Sequence, residues 1–320
     1  LADKPVPKIE YALEGWLPRR ALGLATGIGG GGKTTMMMQL AACTSLGVPW
    51  FGIPTRKARA LCFLTEDPLE VCHIRSHNIA KSLGLTLADL PDFIPMPVVR
   101  KDTALIRFER NAAEYELTHV YKEIAALCIE TGAQFLLLDA LHGLFDGNEN
   151  DRYHARTFCA LLTELAQEID GTVVLLSHPS KASGQDAKNP TSGSTSWHGG
   201  VRAVLHVSDP DDTNPDGRTI RLAKANYGRP GEKVEVTWRD GVFHADAAPE
   251  TGVFGTIQRS RAERVMLDGV RKAVALGLQL SPHRDARDKY APRVGVARGG
   301  AEGLKELELA KAMNRLLDTR

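Results

Sequence analysis

The chain has 320 residues, of which 43% are hydrophobic and 25% are charged, and its formal net charge is +1. This composition excludes disordered and collagen-like proteins, and no apolar run approaches the ~20 residues that a membrane span needs. Because the first ten residues also lack the apolar stretch of a signal peptide, we expect a cytoplasmic protein without a membrane partner.

Apolar runs and helical periodicities alternate along the first half of the chain. The runs at 21–26, 60–65, 134–140 and 171–178 predict buried strands, and segments with helical periodicity lie between them. Strands that alternate with helices are typical of a parallel sheet covered by helices. The sequence therefore predicts an α/β fold.

The segment 151–170 shows the helical pattern most clearly. Asn150 or Asp151 can cap its start, and Gly171 is suited to end it. Its apolar residues fall on one stripe, which we expect to cover one face of the sheet. These residues are Phe158, Leu161, Leu162, Leu165, Ala166 and Ile169.

The pattern changes after residue 200. Three stretches, 201–207, 218–226 and 233–238, alternate with period two and are separated by turn-rich sequences. This pattern predicts antiparallel hairpins, and we expect them to extend the parallel sheet at one edge.

A linker is predicted at residues 246–252, DAAPETG, and it divides the chain into residues 1–245 and a small region at 255–320. The small region contains two helical stretches and offers little core, so we expect a helical or winged appendage. It carries 14 Lys and Arg against 8 Asp and Glu, whereas residues 1–254 have a net charge of −5. A basic appendage of this kind can contact DNA or a partner protein, but a solvated helical surface explains the same charges.

The cysteines are scattered and form no CxxC pair, which favours buried free thiols over disulfides or a zinc site. They are Cys43, Cys62, Cys72, Cys128 and Cys159.

A glycine-rich loop, ATGIGGGGKTTM, joins the first predicted strand to a helix and fits G-x-x-x-x-G-K-[ST]. Bare glycine backbone lets amide groups converge on phosphate oxygens, so this loop predicts ATP binding, although a mobile glycine-rich turn is the alternative. Lys33 is expected to contact the β- and γ-phosphates, and Thr34 to offer its hydroxyl to Mg²⁺. The residues assigned to nucleotide binding are Gly27, Gly29, Gly30, Gly31, Gly32, Lys33, Thr34 and Thr35.

Three further polar groups follow buried strands. Asp139 is expected to end a strand adjacent to the strand before the glycine-rich loop, or P-loop. There it would position Mg²⁺, and capping of a helix is the alternative role. Glu66 is the preferred base for activating water, ahead of Asp67, because we place their strand next to the P-loop strand; helix capping by this pair is the alternative. His178 can sense the γ-phosphate or can be a solvated strand end.

Beyond the P-loop, several longer motifs carry a family resemblance between about residue 10 and 245. They are LTED, LLLDALHGLFDGNENDR, LLSHPSK, SGSTSWHGGVRAVLHV and RLAKANYGRPGE. Together they resemble the RecA-like ATPases of plasmid- and prophage-encoded RepA-type replicative helicases, relatives of DnaB and KaiC-like proteins. The resemblance implies a RecA-like core with a mostly parallel twisted sheet flanked by helices, an antiparallel hairpin extension and a small C-terminal appendage.

The same resemblance implies a homo-oligomeric ring, usually a hexamer, with ATP and Mg²⁺ at each interface and single-stranded DNA through the middle. Arg202 and Lys224 match positions where related ring ATPases place a finger or sensor acting on the neighbouring site. Alternation along 201–207 does not force Arg202 inward, and both cations can instead be solvated strand charges.

In RecA-like rings, the loops after the strands of Asp139 and His178 face the channel, which here means residues 142–153 and 179–198. The second loop carries Lys181 and Lys188 and few aromatic residues, which suits sequence-independent contact with DNA phosphates. A plain flexible loop is the alternative.

The preferred function is therefore an ATP-dependent DNA helicase or translocase of a plasmid or phage replication system, with a replication-initiator or primase partner on a separate chain. The alternative is a RecA- or KaiC-like ATPase that acts in recombination or regulation without unwinding. An ABC-type subunit is disfavoured because no L-S-G-G-Q motif follows the P-loop, and a triad hydrolase lacks G-x-S-x-G.

Overall fold

The computed structural model describes residues 5–98, 102–109, 114–177, 195–210, 214–245, 252–297, 304 and 306–318. The chain divides into two compact units, Leu1–Ala247 and Ala248–Arg320. In the described ranges, no helix combines the length and the apolar character needed to cross a bilayer. The assignment of an ATPase domain to 1–245 and of a separate basic region to 255–320 remains a prediction.

The elements are numbered in chain order. The strands are β1 (Tyr11–Leu13), β2 (Leu17–Pro18), β3 (Ala21–Thr26), β4 (Ala60–Leu64), β5 (Phe93–Pro97), β6 (Ile106–Phe108), β7 (Tyr115–Leu117), β8 (Phe135–Asp139), β9 (Phe145–Asp146), β10 (Thr172–Ser177), β11 (Ala203–Val207), β12 (Gly217–Ala225), β13 (Lys233–Arg239) and β14 (Val242–Ala245). The α-helices are α1 (Lys33–Leu46), α2 (Leu69–Ser82), α3 (His119–Thr131), α4 (Leu141–Leu144), α5 (Arg152–Glu168), α6 (Thr195–Gly200), α7 (Gly252–Ala275), α8 (Ala291–Ala297) and α9 (Glu306–Asp318), and 3-10 helices lie at Leu87–Asp89 and Arg284–Lys289.

One large sheet organises the first unit. Nine of the described strands form it in the order β14-β13-β12-β11-β3-β10-β8-β4-β5. Its strands run parallel from β11 to β5, and β12, β13 and β14 are antiparallel to their neighbours. The predicted α/β class, the mostly parallel sheet and the antiparallel extension at one edge are therefore confirmed.

The central strands are apolar at nearly every position because helices cover both faces of the sheet, and their polar residues lie at the strand ends. Strands β4 and β8 are buried throughout. On one face, side chains from β3, β8 and β10 share a core with residues of α3 and α5. Helix α1 packs near β4 and β8, and the two helical layers fix the register of the sheet because a slip by one residue would exchange its faces.

Helix α5 follows the predicted stripe and cap. Its six predicted stripe residues are all buried. The Asp151 side chain accepts hydrogen bonds from the backbone N–H groups of Tyr153 and His154, at 2.7 and 3.4 Å. The chain then turns at Gly171, where a β-carbon would lie 2.2 Å from the carbonyl oxygen of Gln134. Glycine is therefore required for this close approach to the neighbouring strand.

Several elements were not predicted. Strand β5 pairs with β4 at the sheet edge, and helix α3 precedes β8. A small sheet in the order β7-β6-β9 lies beside them. The prediction of free cysteines is confirmed, since all five thiols are buried and unbridged. Burial raises the pKa of Cys43, Cys128 and Cys159 to about 12, so these thiols are inert while folded.

The second unit is helical, as predicted. Residues of α7, α8 and α9 form its own small apolar core, with Leu309 and Ala312 almost fully buried. Two ion pairs hold its helices, Arg315 Nε to Glu263 Oε1 at 2.8 Å and Arg293 Nε to Glu306 Oε2 at 3.1 Å.

Candidate nucleotide-binding site

The glycine loop forms a tight turn between β3 and the first residue of α1. Gly27 and Gly32 have φ values of 153° and 91°, which side chains with a β-carbon rarely adopt. A β-carbon at Gly27 would lie 2.7 Å from the carbonyl oxygen of Val207, and one at Gly32 would lie 2.5 Å from the ring of Phe243. Gly29 and Gly30 are exposed at the top of the turn. The loop is thus a fixed structure open to solvent on one side, as a phosphate site requires.

Lys33 is folded back over this loop. The residue is 5% exposed, and its ammonium donates to the carbonyl oxygens of Gly27 and Ile28 at 2.6 and 2.7 Å. Burial lowers the pKa of Lys33, while the nearby Asp139 and Glu66 carboxylates act in the opposite direction. The side chain therefore places a positive charge inside the loop, at the point where phosphate oxygens would lie.

Asp139 and Thr34 meet next to the loop. Thr34 Oγ1 donates a hydrogen bond of 2.7 Å to Asp139 Oδ2. Thr65 holds the strand end, because its backbone N–H and its hydroxyl donate to the Asp139 carbonyl oxygen at 2.7 and 2.9 Å. The N-cap position of helix α4 is Ala140, so Asp139 is not its N-cap residue.

Burial raises the pKa of Asp139 to about 6. The hydrogen bond from Thr34 and the charge of Lys33 lower the pKa, whereas Glu66 and Asp67 raise it further. A buried carboxylate that is costly to ionise is stabilised strongly by a bound cation. Asp139 and Thr34 offer the oxygen ligands that Mg²⁺ prefers, so the residues present fit a Mg²⁺ ion that also binds phosphate oxygens.

The strand order corrects two expectations. Strand β10 lies between β3 and β8, and β4 lies beyond β8, so neither Asp139 nor Glu66 follows a strand adjacent to the P-loop strand. Asp139 nevertheless reaches Thr34, because the carboxyl ends of all these parallel strands open onto one edge of the sheet.

Glu66 and Asp67 differ in their surroundings. Asp67 forms an ion pair with Arg75 of α2. Glu66 is exposed, and its Oε1 lies 3.4 Å from Nε2 of His142, in the segment after β8. The N-cap position of α2 is Pro68, so neither Glu66 nor Asp67 is its N-cap residue. Of these two carboxylates, Glu66 is the more exposed to solvent.

Arg202 and Lys224 lie away from the P-loop of their own chain. The Arg202 backbone N–H bonds to the Leu22 carbonyl oxygen, near the start of β3, whereas the P-loop follows the end of β3. Arg202 is exposed. The Lys224 ammonium donates to the carbonyl oxygens of His198 and Val201 at 2.5 and 2.9 Å, and burial lowers its pKa. His178, Lys181 and Lys188 lie outside the described residues.

Sequence reasoning missed two residues that contact the loop. Arg218 Nε donates to the Gly31 carbonyl oxygen at 3.3 Å. Phe243 lies against Gly32, and its backbone N–H and carbonyl form a pair of hydrogen bonds with the Gln39 side chain at 3.0 and 2.9 Å. Both residues come from the hairpins after β11. The turn-rich sequences predicted those hairpins, but no sequence signal indicated that they contact the loop.

Residues 1–184, more than half of the chain, match the model of a protein family described as AAA domain. No curated protein matches the sequence. Among solved structures, the chain is similar to one described as an ATPase domain, with 13% identity and a TM-score of 0.49 over 71% of this chain and 85% of that one. It is also similar to the RadB recombinase, with 12% identity and a TM-score of 0.48 over 71% of this chain and 90% of that one. At these values the structural similarities do not bear on activity.

Proposed function

The chain belongs to the AAA domain family AAA_25 and is therefore a P-loop ATPase, and from this premise we propose that it hydrolyses ATP at subunit interfaces of a DNA-translocating ring. The observation that carries the proposal is the contact between Thr34 and Asp139 beside the buried Lys33, with Glu66 at the same edge of the sheet. Phosphoryl transfer requires groups that bind phosphate, hold the metal ion and activate water, and these residues supply all three. Gly27, Gly29 to Gly32 and Thr35 complete the loop.

Each residue has a defined task in the proposed reaction. Lys33 exchanges its bonds to loop carbonyls for bonds to the β- and γ-phosphate oxygens. Thr34 and Asp139 hold Mg²⁺, which neutralises charge on the phosphates when it is bound. Glu66 orients a water molecule for in-line attack on the γ-phosphorus and accepts its proton, and ADP leaves with the bridging oxygen.

The finger cation is proposed to come from a neighbouring subunit. Within one chain, Arg202 lies beside the amino end of β3, so about four residues of strand, or roughly 13 Å, separate it from the P-loop. Its exposure leaves it available to another copy. The Lys224 ammonium is already held by two carbonyl oxygens at the end of α6, so we assign the finger to Arg202 and a positioning role to Lys224.

Coupling to single-stranded DNA is proposed through two segments. The contact between Glu66 and His142 joins the candidate base to residues 142–153, one of the two loops assigned to the channel. Lys181 and Lys188, in the other loop, are assigned to DNA phosphates, and His178 at its start is assigned to sensing the γ-phosphate. A hexamer, a plasmid or phage replication role and an initiator or primase partner belong to the same proposal.

One set of measurements tests this function. ATPase rates with and without single-stranded DNA, native mass, and strand displacement on a forked duplex are measured for the wild type and for Glu66→Gln. We expect stimulation by DNA, an oligomer of ring size and strand displacement, all dependent on ATP, and Glu66→Gln should bind ATP but hydrolyse it at least about 100-fold more slowly. A DNA-stimulated ATPase that leaves the fork intact would favour the recombination or regulatory alternative, and a monomer indifferent to DNA would contradict the ring.

Arg202→Ala separates binding from turnover. This variant should bind ATP normally and lose about 1,000-fold in rate, because a finger stabilises the transition state. Arg156→Ala, which removes an exposed arginine from α5, is the matched control and should retain the wild-type rate.

A further inference from the structure

The P-loop lies between two different kinds of surface. Asp139 ends β8 and Glu66 follows β4, and both strands lie on one side of β3 in the sheet. The strands that carry Arg218, Trp238 and Phe243 lie on the other side, beyond β11. A nucleoside triphosphate also has two different ends. Its terminal phosphate must face the metal and the catalytic carboxylate, and its nucleobase lies at the opposite end of the molecule.

Two aromatic residues, Phe243 and Trp238, form an aromatic pair on the side of the P-loop that lies beyond β11. Phe243 is buried, and the carbon atoms Cε2 and Cζ of its ring lie where a β-carbon of Gly32 would approach within 2.5 Å. Trp238 packs edge-on against Phe243, with ring centroids 4.9 Å apart and an interplanar angle of 64°. Phe243 thus contacts the start of α1, and the indole ring of Trp238 packs on the ring of Phe243.

The indole is the accessible end of this pair. Trp238 is 37% exposed, whereas the chain's other tryptophans, Trp16, Trp50 and Trp197, are at most 6% exposed. Strand pairing places Trp238 opposite Phe243, and Arg218 opposite Val236, so all of these side chains lie on the face that meets α1. A large apolar ring left open next to a phosphate loop can stack on a flat ligand.

Arg218 joins strand β12, on the same side as the aromatic pair, to the glycine loop. Its guanidinium donates to the carbonyl oxygens of Gly31, Pro215 and Gly217, at 3.3, 2.7 and 2.6 Å. The paired bonds between Gln39 and Phe243 fix β14 to α1 in the same way. Polar contacts of β12 with the loop and of β14 with α1 therefore hold the aromatic pair in a fixed position beside the loop.

We propose that Trp238, backed by Phe243, is the stacking platform for the nucleobase of the bound nucleotide. The inference rests on the proposed function, since it assigns the base end of the same site. Stacking of this kind accepts any nucleobase, because every base offers a π-face, so the platform sets affinity for nucleotides over inorganic polyphosphate more than it selects adenine.

Trp238 also reports on its own site. Because it is the exposed tryptophan, ATP should quench its fluorescence and protect it from acrylamide, whereas inorganic tripolyphosphate should bind the loop without either effect. Both ligands are titrated with Mg²⁺ into the full chain and into Trp238→Phe, Trp238→Ala and the control Trp197→Phe, with isothermal titration calorimetry providing affinities.

Trp238→Ala should weaken ATP binding by about 10-fold or more, because a base loses its stacking partner, and should leave the affinity for tripolyphosphate unchanged. Trp238→Phe should stay within about threefold of the wild type for ATP, because a flat ring remains. Equal losses for ATP and tripolyphosphate, no loss for either, or acrylamide protection that follows protein concentration instead of nucleotide would overturn the inference. A wild-type chain that binds neither ligand would overturn the proposed function itself.

Discussion

Asp139→Asn should stabilise the protein in the absence of nucleotide and metal, and the gain should grow with pH. Burial raises the pKa of Asp139 from 3.8 to about 6, so the folded state holds this proton more tightly than the unfolded chain does. Between these two values the folded state binds more protons, and its stability therefore falls as pH rises. Asparagine carries no charge and still accepts the hydrogen bond from Thr34.

The size of the effect follows from the shift. A difference of roughly two pKa units corresponds to about 3 kcal/mol at neutral pH, of which about 1 kcal/mol has developed by pH 4.5. The advantage of Asp139→Asn should therefore grow by about 2 kcal/mol between pH 4.5 and 7.5. For a unit of this size, that is a gain of about 4–8 °C in Tm relative to the wild type.

The assay is thermal unfolding in EDTA followed by tryptophan fluorescence, which reports on the first unit because all four tryptophans lie in it. Asp170→Asn is a control of opposite sign. A hydrogen bond from Arg20, with help from Arg19, lowers the pKa of Asp170, so its contribution is present above the unfolded pKa and is lost in acid. A difference between Asp139→Asn and the wild type that is the same at pH 4.5 and 7.5 would refute the reasoning.

Three further predictions concern the loop, the channel and a helix cap. Lys33→Ala should lower the ATPase rate by at least about 100-fold, because a positive charge at the transferring phosphate is lost, and a rate within tenfold of the wild type would contradict its role. Replacing both Lys181 and Lys188 by alanine should reduce the slope of log K for single-stranded DNA against log salt by about 1.4, since each phosphate contact contributes about 0.7, and an unchanged slope in titrations from 50 to 200 mM salt would remove them from the DNA site. Asp151→Ala should lower the free energy of unfolding by about 1 kcal/mol in urea denaturation, because two backbone N–H groups of α5 lose their acceptor, and an unchanged midpoint would show that water replaces the cap.

The central strands could be predicted from the sequence because strands covered by helices on both faces appear as nearly continuous apolar runs. Strands such as β8, FLLLD, are continuous apolar runs, and few other structures produce them in an α/β context. The contact between Thr34 and Asp139 was also foreseeable, because a P-loop and a buried strand that ends in aspartate have complementary tasks at one sheet edge.

The order of the strands was not readable from the sequence. Strand β10 is inserted between β3 and β8 by a crossover that leaves no local signal, so the expected adjacency to the P-loop strand was wrong. Strand β5 was missed because its prolines, Pro95 and Pro97, argue against a strand, and they are tolerated because β5 lies at the edge.

The position of the aromatic pair, Trp238 and Phe243, could not be predicted from the sequence for a similar reason. Trp238 and Phe243 are separated from the P-loop by about 200 residues, and they approach it only because β14 packs against α1 and β13 pairs with β14. No residue spacing encodes that approach. Positions such as Arg218 can be linked to the loop only after the hairpins have been placed.

A mixing experiment tests most directly whether one subunit completes the site of another. Glu66→Gln and Arg202→Ala are each inactive by design, and equal amounts are combined under conditions that allow subunits to exchange. If Arg202 acts across an interface, the mixture should recover about a quarter of the wild-type ATPase rate, because one in four random interfaces joins an intact Glu66 to an intact Arg202. A mixture that remains at the average of the two inactive variants would contradict catalysis shared between subunits.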